Sequence, residues 1–330
     1  MTNEQGIAIL ESQNTPRSFG SFAEDNPNPY AMQWTLDIQH ELMPGLVVET
    51  GYVGTRALKL SMTHRFNEPD RITNVRPYPA STSTSWVDAS DNSIYHAWQT
   101  QVHKRFSNDY AMNANYIWSK SMSIAMGDFG GSNNLRVQEE TNLRADWAPT
   151  NFDRTHVFSL DAVWAPSFDR WLSAGGAWKQ VVGGWQFTGT YQAQTGTPLT
   201  LNQSNSRELQ RPDYAGGEIY LHPEVVTDLY INKAAFLAVP VSPASGITIR
   251  PGNVGNRSLR APNSWLLNFN VLKRFAIRDG IALQFRMEMY NALNHANLGS
   301  PNLNISNSLF GRITSTQAGR SIQLGGRLEF

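Results

Sequence analysis

The apolar residues of this chain keep a period of two over most of its length, and that alternation limits its folding more than any motif does. From Tyr30 the even positions read Tyr30, Met32, Trp34, Leu36 and Ile38, with Ala31, Gln33, Thr35, Asp37 and Gln39 between them. Successive side chains of a strand point to opposite faces, so such a segment is a strand with one greasy and one wet face. The pattern recurs at Leu46, Val48 and Tyr52, at Tyr110 to Trp118, at Phe158 to Trp164 and at Trp185 to Ala193. Residues 265–271, 283–289 and 319–330 repeat it. A ninth segment, 95–106, is weaker, because Lys104 intrudes among Trp98, Val102 and Phe106. Several of these nine strands exceed the ~5–6 residues usual in globular sheets. They approach the ~9–11 residues that cross a bilayer at a tilt.

The connections separate the possible architectures. Tight turns are expected at Met43-Pro44-Gly45, at Ser107-Asn108-Asp109 and around 276–280. Between them lie long segments rich in Asn, Ser, Gly and Pro, at 55–93, 120–153, 197–263 and 294–318, and one intermediate connection at 166–183 that falls on a short-turn slot. A sandwich has no reason to gather its long loops at one end of its strands. A transmembrane barrel has short periplasmic turns and long extracellular loops. The wet faces are mostly Gln, Asn, Thr and Ser, as a hydrated lumen requires. The greasy faces carry Trp34, Tyr52, Tyr116, Trp118, Trp164, Trp185, Tyr191 and Trp265 near strand ends, where interfacial rings belong. The predicted fold is all-β: an antiparallel up-and-down transmembrane β-barrel, present in part.

Composition removes other classes. Lys+Arg and Asp+Glu both number 27, so no net field draws the chain to nucleic acid. The absence of cysteine excludes disulfides and thiolate chemistry. No uncharged run approaches the ~20 residues of a membrane helix. The N-terminus lacks the basic and apolar regions of a secretory signal, which under a barrel reading is expected to reflect a truncated chain. The seven histidines never stand as HxxxH, and no G-x-S-x-G elbow occurs. Glu139 and Glu140 are expected as solvated loop charges. No enzyme, cofactor or metal site is predicted.

The last segment, GRSIQLGGRLEF, ends the chain on an aromatic residue after alternating apolar ones. Ile322, Leu324, Leu328 and Phe330 resemble the C-terminal signal read by the barrel-assembly machinery of bacterial outer membranes. Longer stretches extend the likeness: NPYAMQWTLDIQHELMPGLVVETGYVGTRALKL, FDRTHVFSLDAVW, GGWQFTGTYQAQTGTPLTL, the run from Asn253 to Asn302, and FGRITSTQAGRSIQLGGRLEF. Together they resemble the C-terminal part of TonB-dependent outer-membrane receptors of the Oar-like type. The resemblance implies a barrel of about 22 strands, an N-terminal plug that contacts TonB and is not visible in this sequence, and residence in the bacterial outer membrane in contact with its lipid.

Counting back from Phe330 at the periplasmic end puts every long loop outside. Residues 1–29 are then the remnant of an extracellular loop, and 30–330 the C-terminal barrel segment. Arg286, Glu288 and Arg327 face the lumen and are candidates for a solute path, although cross-strand ion pairing with Glu329 is the blander expectation. Within the 197–263 loop, Arg211, Tyr214, Tyr220, His222 and Tyr230 are candidates for contacting a small-molecule or glycan ligand. The functional expectation is uptake of an unidentified nutrient. A structural or adhesive barrel without transport, and a soluble secreted carbohydrate-binding β-protein, are the alternatives. Deleting Phe330 from the complete protein is expected to lower assembly, measured as the fraction that resists urea extraction from membranes; unchanged insertion would remove the terminal-signal argument.

Overall fold

The structure, a computed structural model, describes residues 17–124, 137–204, 210–221, 228–278 and 280–330. Nine strands form a single meander: β1 (Tyr30–Met43), β2 (Leu46–Phe66), β3 (Ser81–Ser107), β4 (Tyr110–Ser123), β5 (His156–Trp164), β6 (Trp185–Gln194), β7 (Ser264–Arg278), β8 (Ile281–Tyr290) and β9 (Ser321–Glu329). Each pairs antiparallel with its neighbour in sequence, from β1 at one edge to β9 at the other. The sheet is not closed, since β1 and β9 do not pair with each other. A short strand, Arg17–Phe22, lies parallel to the start of β3, and Ala148–Pro149 pairs with the end of β4.

Register turns the alternation into two faces. Across neighbouring strands, His40, Val48, Val102, Ala114, Leu160, Tyr191 and Leu267 stand side by side. On the opposite face Gln39, Glu49, Gln101, Asn115, Ser159 and Gln192 form the adjacent row. Among the described residues no second layer covers the greasy face: Leu36 is 69% exposed, Ile38 64% and Leu324 80%. Two sheets packed face to face would bury these side chains, so the sandwich architecture is excluded. In hydrocarbon the same residues meet a solvent that suits them.

Turn chemistry agrees at the short-loop end. Asn108 and Asp109 both take positive φ, 52° and 69°, which a two-residue hairpin loop of the primed type requires. Gly45 takes φ +79°, and its N–H donates to Glu41 Oε1 at 2.8 Å. Gly54 stands opposite Trp34, whose indole covers it so closely that a Cβ there would overlap the ring.

Lys104 does not break the 95–106 segment, which lies in β3. Its ammonium lies 4.8 Å from the Tyr110 ring centre and donates to the carbonyl of Arg105 at 2.9 Å and to Ser107 Oγ, so the stem stays on the greasy face while the charge reaches the turn. β3 is in fact the longest strand, with 27 residues.

Two expectations about loops need correction. The 55–93 segment is mostly strand: β2 runs to Phe66 and β3 begins at Ser81, so this hairpin projects well past Tyr30, where β1 begins. Register breaks between Ala57, Leu60 and Met62 shift the side-chain phase there, and a period-two reading stops where the phase slips. The 197–263 and 294–318 segments are not merely polar. They hold the main buried core: Leu199, Leu201, Ile231, Ala235, Phe236, Val254, Leu259, Ala261, Ile305 and Phe310. Isolated bridges such as Asn202 with Asn304 and Leu229 with Arg312 tie the two loops into one cap.

Phe310 is 1% exposed and meets Phe236 edge-on at 6.2 Å. Truncating it is expected to cost the cap about 3–5 kcal/mol. Phe310→Ala should expose the loops to protease while the strands stay inserted; undiminished resistance would show that the cap does not depend on this core.

Candidate functional site

Above the wall, loops distant in sequence are fastened by charged side chains drawn out of water. Asp146 is at the centre, 1% exposed. One carboxylate oxygen accepts the backbone N–H of Gln138 at 2.9 Å and the other accepts the guanidinium of Arg211, which also donates to Val254 O at 2.8 Å. Arg257 donates to the carbonyls of Ser123 and Ile124, both at 2.8 Å, and of Asp146 at 3.2 Å. Burial pulls the Arg257 guanidinium below its ordinary value, against the attraction of Asp146 and Asp91. Removing one member of such a buried pair leaves an uncompensated charge, at about 3–5 kcal/mol.

The projecting hairpin docks through Arg71. Its guanidinium reaches Gln210 Oε1 at 3.0 Å, Thr248 Oγ1 at 2.9 Å and Glu139 Oε2 at 3.3 Å. Ser242 and Ser245 hydroxyls donate to the carbonyls of Ile72 and Arg71, at 3.0 and 2.5 Å. A third fastening joins Arg260 to Asp153 at 2.5 Å, with Asp153 1% exposed on its side chain. Glu139 and Glu140 are therefore cross-links rather than free solvated charges, for Glu140 holds His64 at 2.8 Å and the N–H of Arg65 at 2.9 Å.

The ligand-loop candidates divide. Arg211 is 3% exposed, with Nε on Val254 O and Nη1 on Asp146 inside the cap. Tyr220 accepts the N–H of Arg260 at 2.7 Å and Tyr230 donates to Arg260 O at 3.1 Å, with their rings 5.4 Å apart. Burial raises both phenols, Tyr230 to about 12. Tyr214 is 43% exposed and packs on Phe236, with its hydroxyl on Gly217 O at 2.7 Å. Beside it Arg250 clasps Asp213 through both carboxylate oxygens at 3.0 and 2.6 Å, and those bonds hold the Asp213 carboxyl below its ordinary value. His222 lies outside the described residues.

The inner face of the wall below the cap is lined with amides and hydroxyls that bond across strands: Gln101 to Asn113 at 3.2 Å, Asn268 to Thr190 at 3.4 Å and Gln194 to Ser264 at 3.3 Å. Arg286 and Glu288 share this face and pair at 3.2 Å, while Arg327 stands opposite Gln284. Glu329 pairs with Arg274 at 3.4 Å. Gln284, Arg286, Glu288 and Arg327 border a concavity of about 310 Å³. Sequence reasoning did not single out Arg71, Asp146, Asp153 or Arg257. Their one signal was the presence of charge inside Gly- and Pro-rich loops of a chain with only 16% charged residues. Among the described residues no group of three or more His, Asp or Glu is arranged to hold a metal ion.

A family model, the outer membrane beta barrel domain, matches residues 2–323. The chain belongs to this family. Its strands accordingly cross the bacterial outer membrane, with the greasy face to lipid. Among solved structures, the outer membrane transporter YddB from Escherichia coli is similar at 12% identity and a TM-score of 0.50, over 94% of this chain and 34% of that one. The ferric-catecholate import receptor Fiu from E. coli K12 is similar at 9% identity and a TM-score of 0.45, over 93% of this chain and 29% of that one. The barrel segment thus spans about a third of the length of the solved proteins it matches. No curated protein matches its sequence.

His64, beyond the bilayer on the projecting hairpin, is bonded by Glu140 at 2.8 Å, Asp88 at 3.1 Å and Ser90 at 2.8 Å. The Glu140 bond, with the charges of Asp88 and Glu140, raises its pKa above 6.5 despite opposing burial. A raised folded pKa means that this fastening is complete below 6.5 and is lost as pH rises through the folded value. Protease resistance of the hairpin should therefore fall as pH rises above 6.5, and His64→Gln should flatten that dependence; an equal slope in the variant would assign it elsewhere.

Proposed function

We propose that this chain is the C-terminal wall of a TonB-dependent receptor of the Oar-like type, importing a nutrient that the folded cap captures outside the cell. The observation that carries the reading is the cap itself: two loops folded around one core, with the 120–153 segment and the projecting hairpin fastened to them by charged side chains drawn out of water, above an inner wall lined with amides and hydroxyls. A barrel that served only to fill the membrane has no need to spend buried arginines on holding its outer loops in one arrangement.

The free edges give the reading a structural requirement. Because nine is odd, β1 and β9 run the same way, and antiparallel closure needs an odd number of further strands. A barrel of about 22 strands would supply about thirteen. A second copy in the same orientation would bring β9 against β1 in parallel, so we assign closure to strands and a plug preceding this segment. Residues 17–29 then belong to an extracellular loop, TonB acts through the plug, and the assembly machinery reads the strand ending at Phe330, which is 95% exposed.

Ligand contact falls to the exposed part of the candidate set. Tyr214 with the Arg250–Asp213 pair offers a ring and a charged clasp at the cap surface. Arg286, Glu288 and Arg327 offer polar contacts along the inner wall. YddB is described as an outer membrane transporter, which supports uptake without naming a substrate, so the search covers several nutrient classes. Cells lacking the complete protein should lose accumulation of one labelled probe from a panel of ferric catecholates, ferric hydroxamates, cobalamin and malto-oligosaccharides, and the same loss should follow deletion of TonB. Unchanged accumulation of every probe, with the barrel present in the membrane of the parent strain, would favour the adhesive alternative.

A further inference from the structure

The connection between β5 and β6 falls where a tight periplasmic turn belongs, yet it carries two short helices, α1 (Phe168–Trp171) and α2 (Gly176–Val182). Apolar residues stand at helical spacing in each, as Phe168, Trp171 and Leu172 and as Trp178, Val181 and Val182. Most of that surface is uncovered: Trp171 is 56% exposed, Leu172 62%, Trp178 59% and Val181 52%. Two indoles and two aliphatic side chains facing water would cost the hydrophobic free energy that the rest of the chain spends its alternation avoiding.

The helices are fastened to the lipid-facing side of the wall, not to its inner side. Phe168 meets the outward ring of Trp164 edge-on at 5.7 Å, and Trp171 meets Phe168 at 5.5 Å. Trp185, also outward, donates its indole N–H to Val181 O at 3.1 Å. Lys273, opposite Trp185 in register, donates to the carbonyls of Gln180 at 2.7 Å, Val181 at 3.0 Å and Gly183, satisfying the end of α2 with a cation. Directly above, Gly189 leaves the wall dented between Trp164, Phe187 and Leu267, in an apolar groove of about 510 Å³. The exposed helix surface, the groove and the lipid-facing wall are thus one continuous apolar surface.

We infer that residues 168–182 form an interfacial foot that binds phospholipid of the periplasmic leaflet, with the Trp171 and Trp178 rings at headgroup depth and an acyl chain in the groove at Gly189. The inference rests on the membrane orientation already assigned, which puts the short-turn end in the periplasm. Position selects lipid as the occupant: a surface continuous with the bilayer-facing wall meets lipid before any soluble partner, and a plug would occupy the opposite side of the sheet. Amphipathic rings prefer the headgroup region, and Asp169, Arg170 and Lys179 keep the segment's polar side wet.

The test uses the absence of cysteine from this chain, with any cysteine elsewhere in the complete protein replaced by serine. In the complete protein, in native outer membranes, nitroxide labels are placed singly by Trp171→Cys, Trp178→Cys, Leu172→Cys and Val181→Cys. Phe187→Cys on the wall and Tyr78→Cys on the hairpin serve as references, and urea resistance confirms insertion of each variant. The expected result is collision with oxygen in excess of collision with a water-soluble nickel chelate at all four foot positions, with the sign seen at 187 and opposite to that at 78. The aqueous sign at the foot with the lipid sign at 187 overturns the foot alone. Low collision with both reagents at the foot identifies a protein cover and also overturns it. An aqueous sign at 187 overturns the membrane orientation itself.

Discussion

The constraint on which this structure depends is that a backbone in hydrocarbon has no water to satisfy its N–H and C=O groups. Pairing each of nine strands to the next answers it along the wall and dictates everything else about the sheet. Long strands follow from bilayer thickness, alternation follows from having lipid on one face and water on the other, and tight turns follow from the need to leave hydrocarbon only at its rims. The unpaired edges of β1 and β9 are the places where this requirement is unmet within the chain, which makes them the most informative feature of its topology.

A consequence is that the usual location of a hydrophobic core is inverted. The sheet, which would form the centre of a soluble protein, has greasy side chains with no protein layer over them. The residues buried as in a soluble domain are in the cap, where Phe236 and Phe310 anchor one cluster and Leu199 and Leu259 are paired in register. The cap lies in water and folds by burial and by ion pairs. The wall lies in lipid and is held by its backbone ladder and turns. Two solvents act on one polypeptide, and the arginines at 71, 211, 257 and 260 cluster on the aqueous side of that division.

Legibility followed the same division. The positions of the strands could be read because alternation is a local property, needing only a few consecutive residues to show itself. Even Lys104, which weakened the reading of β3, is accommodated by a local device, since its ammonium reaches a turn three residues away. The candidate site could not be read in the same manner. Arg71 meets Gln210 and Thr248, and Arg257 meets Ser123, across separations on which sequence pattern is silent. Arg211 was legible as a notable residue but not as a buried one, because an arginine in a polar loop looks the same whether Asp146 faces it or water does. The bulges past Ala57 hid a projecting hairpin for a related reason: a slipped phase erases the period without ending the strand.

The sequence by itself determined the wall: the number of strands, their order, which face meets lipid and which end carries the long loops. It did so because a strand in a bilayer must satisfy a two-solvent pattern residue by residue. Only the tertiary structure decided that the long loops are a folded cap, that the charged residues within them are mostly fasteners rather than free recognition groups, and that the 166–183 connection is a pair of helices lying against the outer face. Those outcomes depend on which distant side chains meet once burial is worth more than hydration, and that comparison is made in space rather than along the chain.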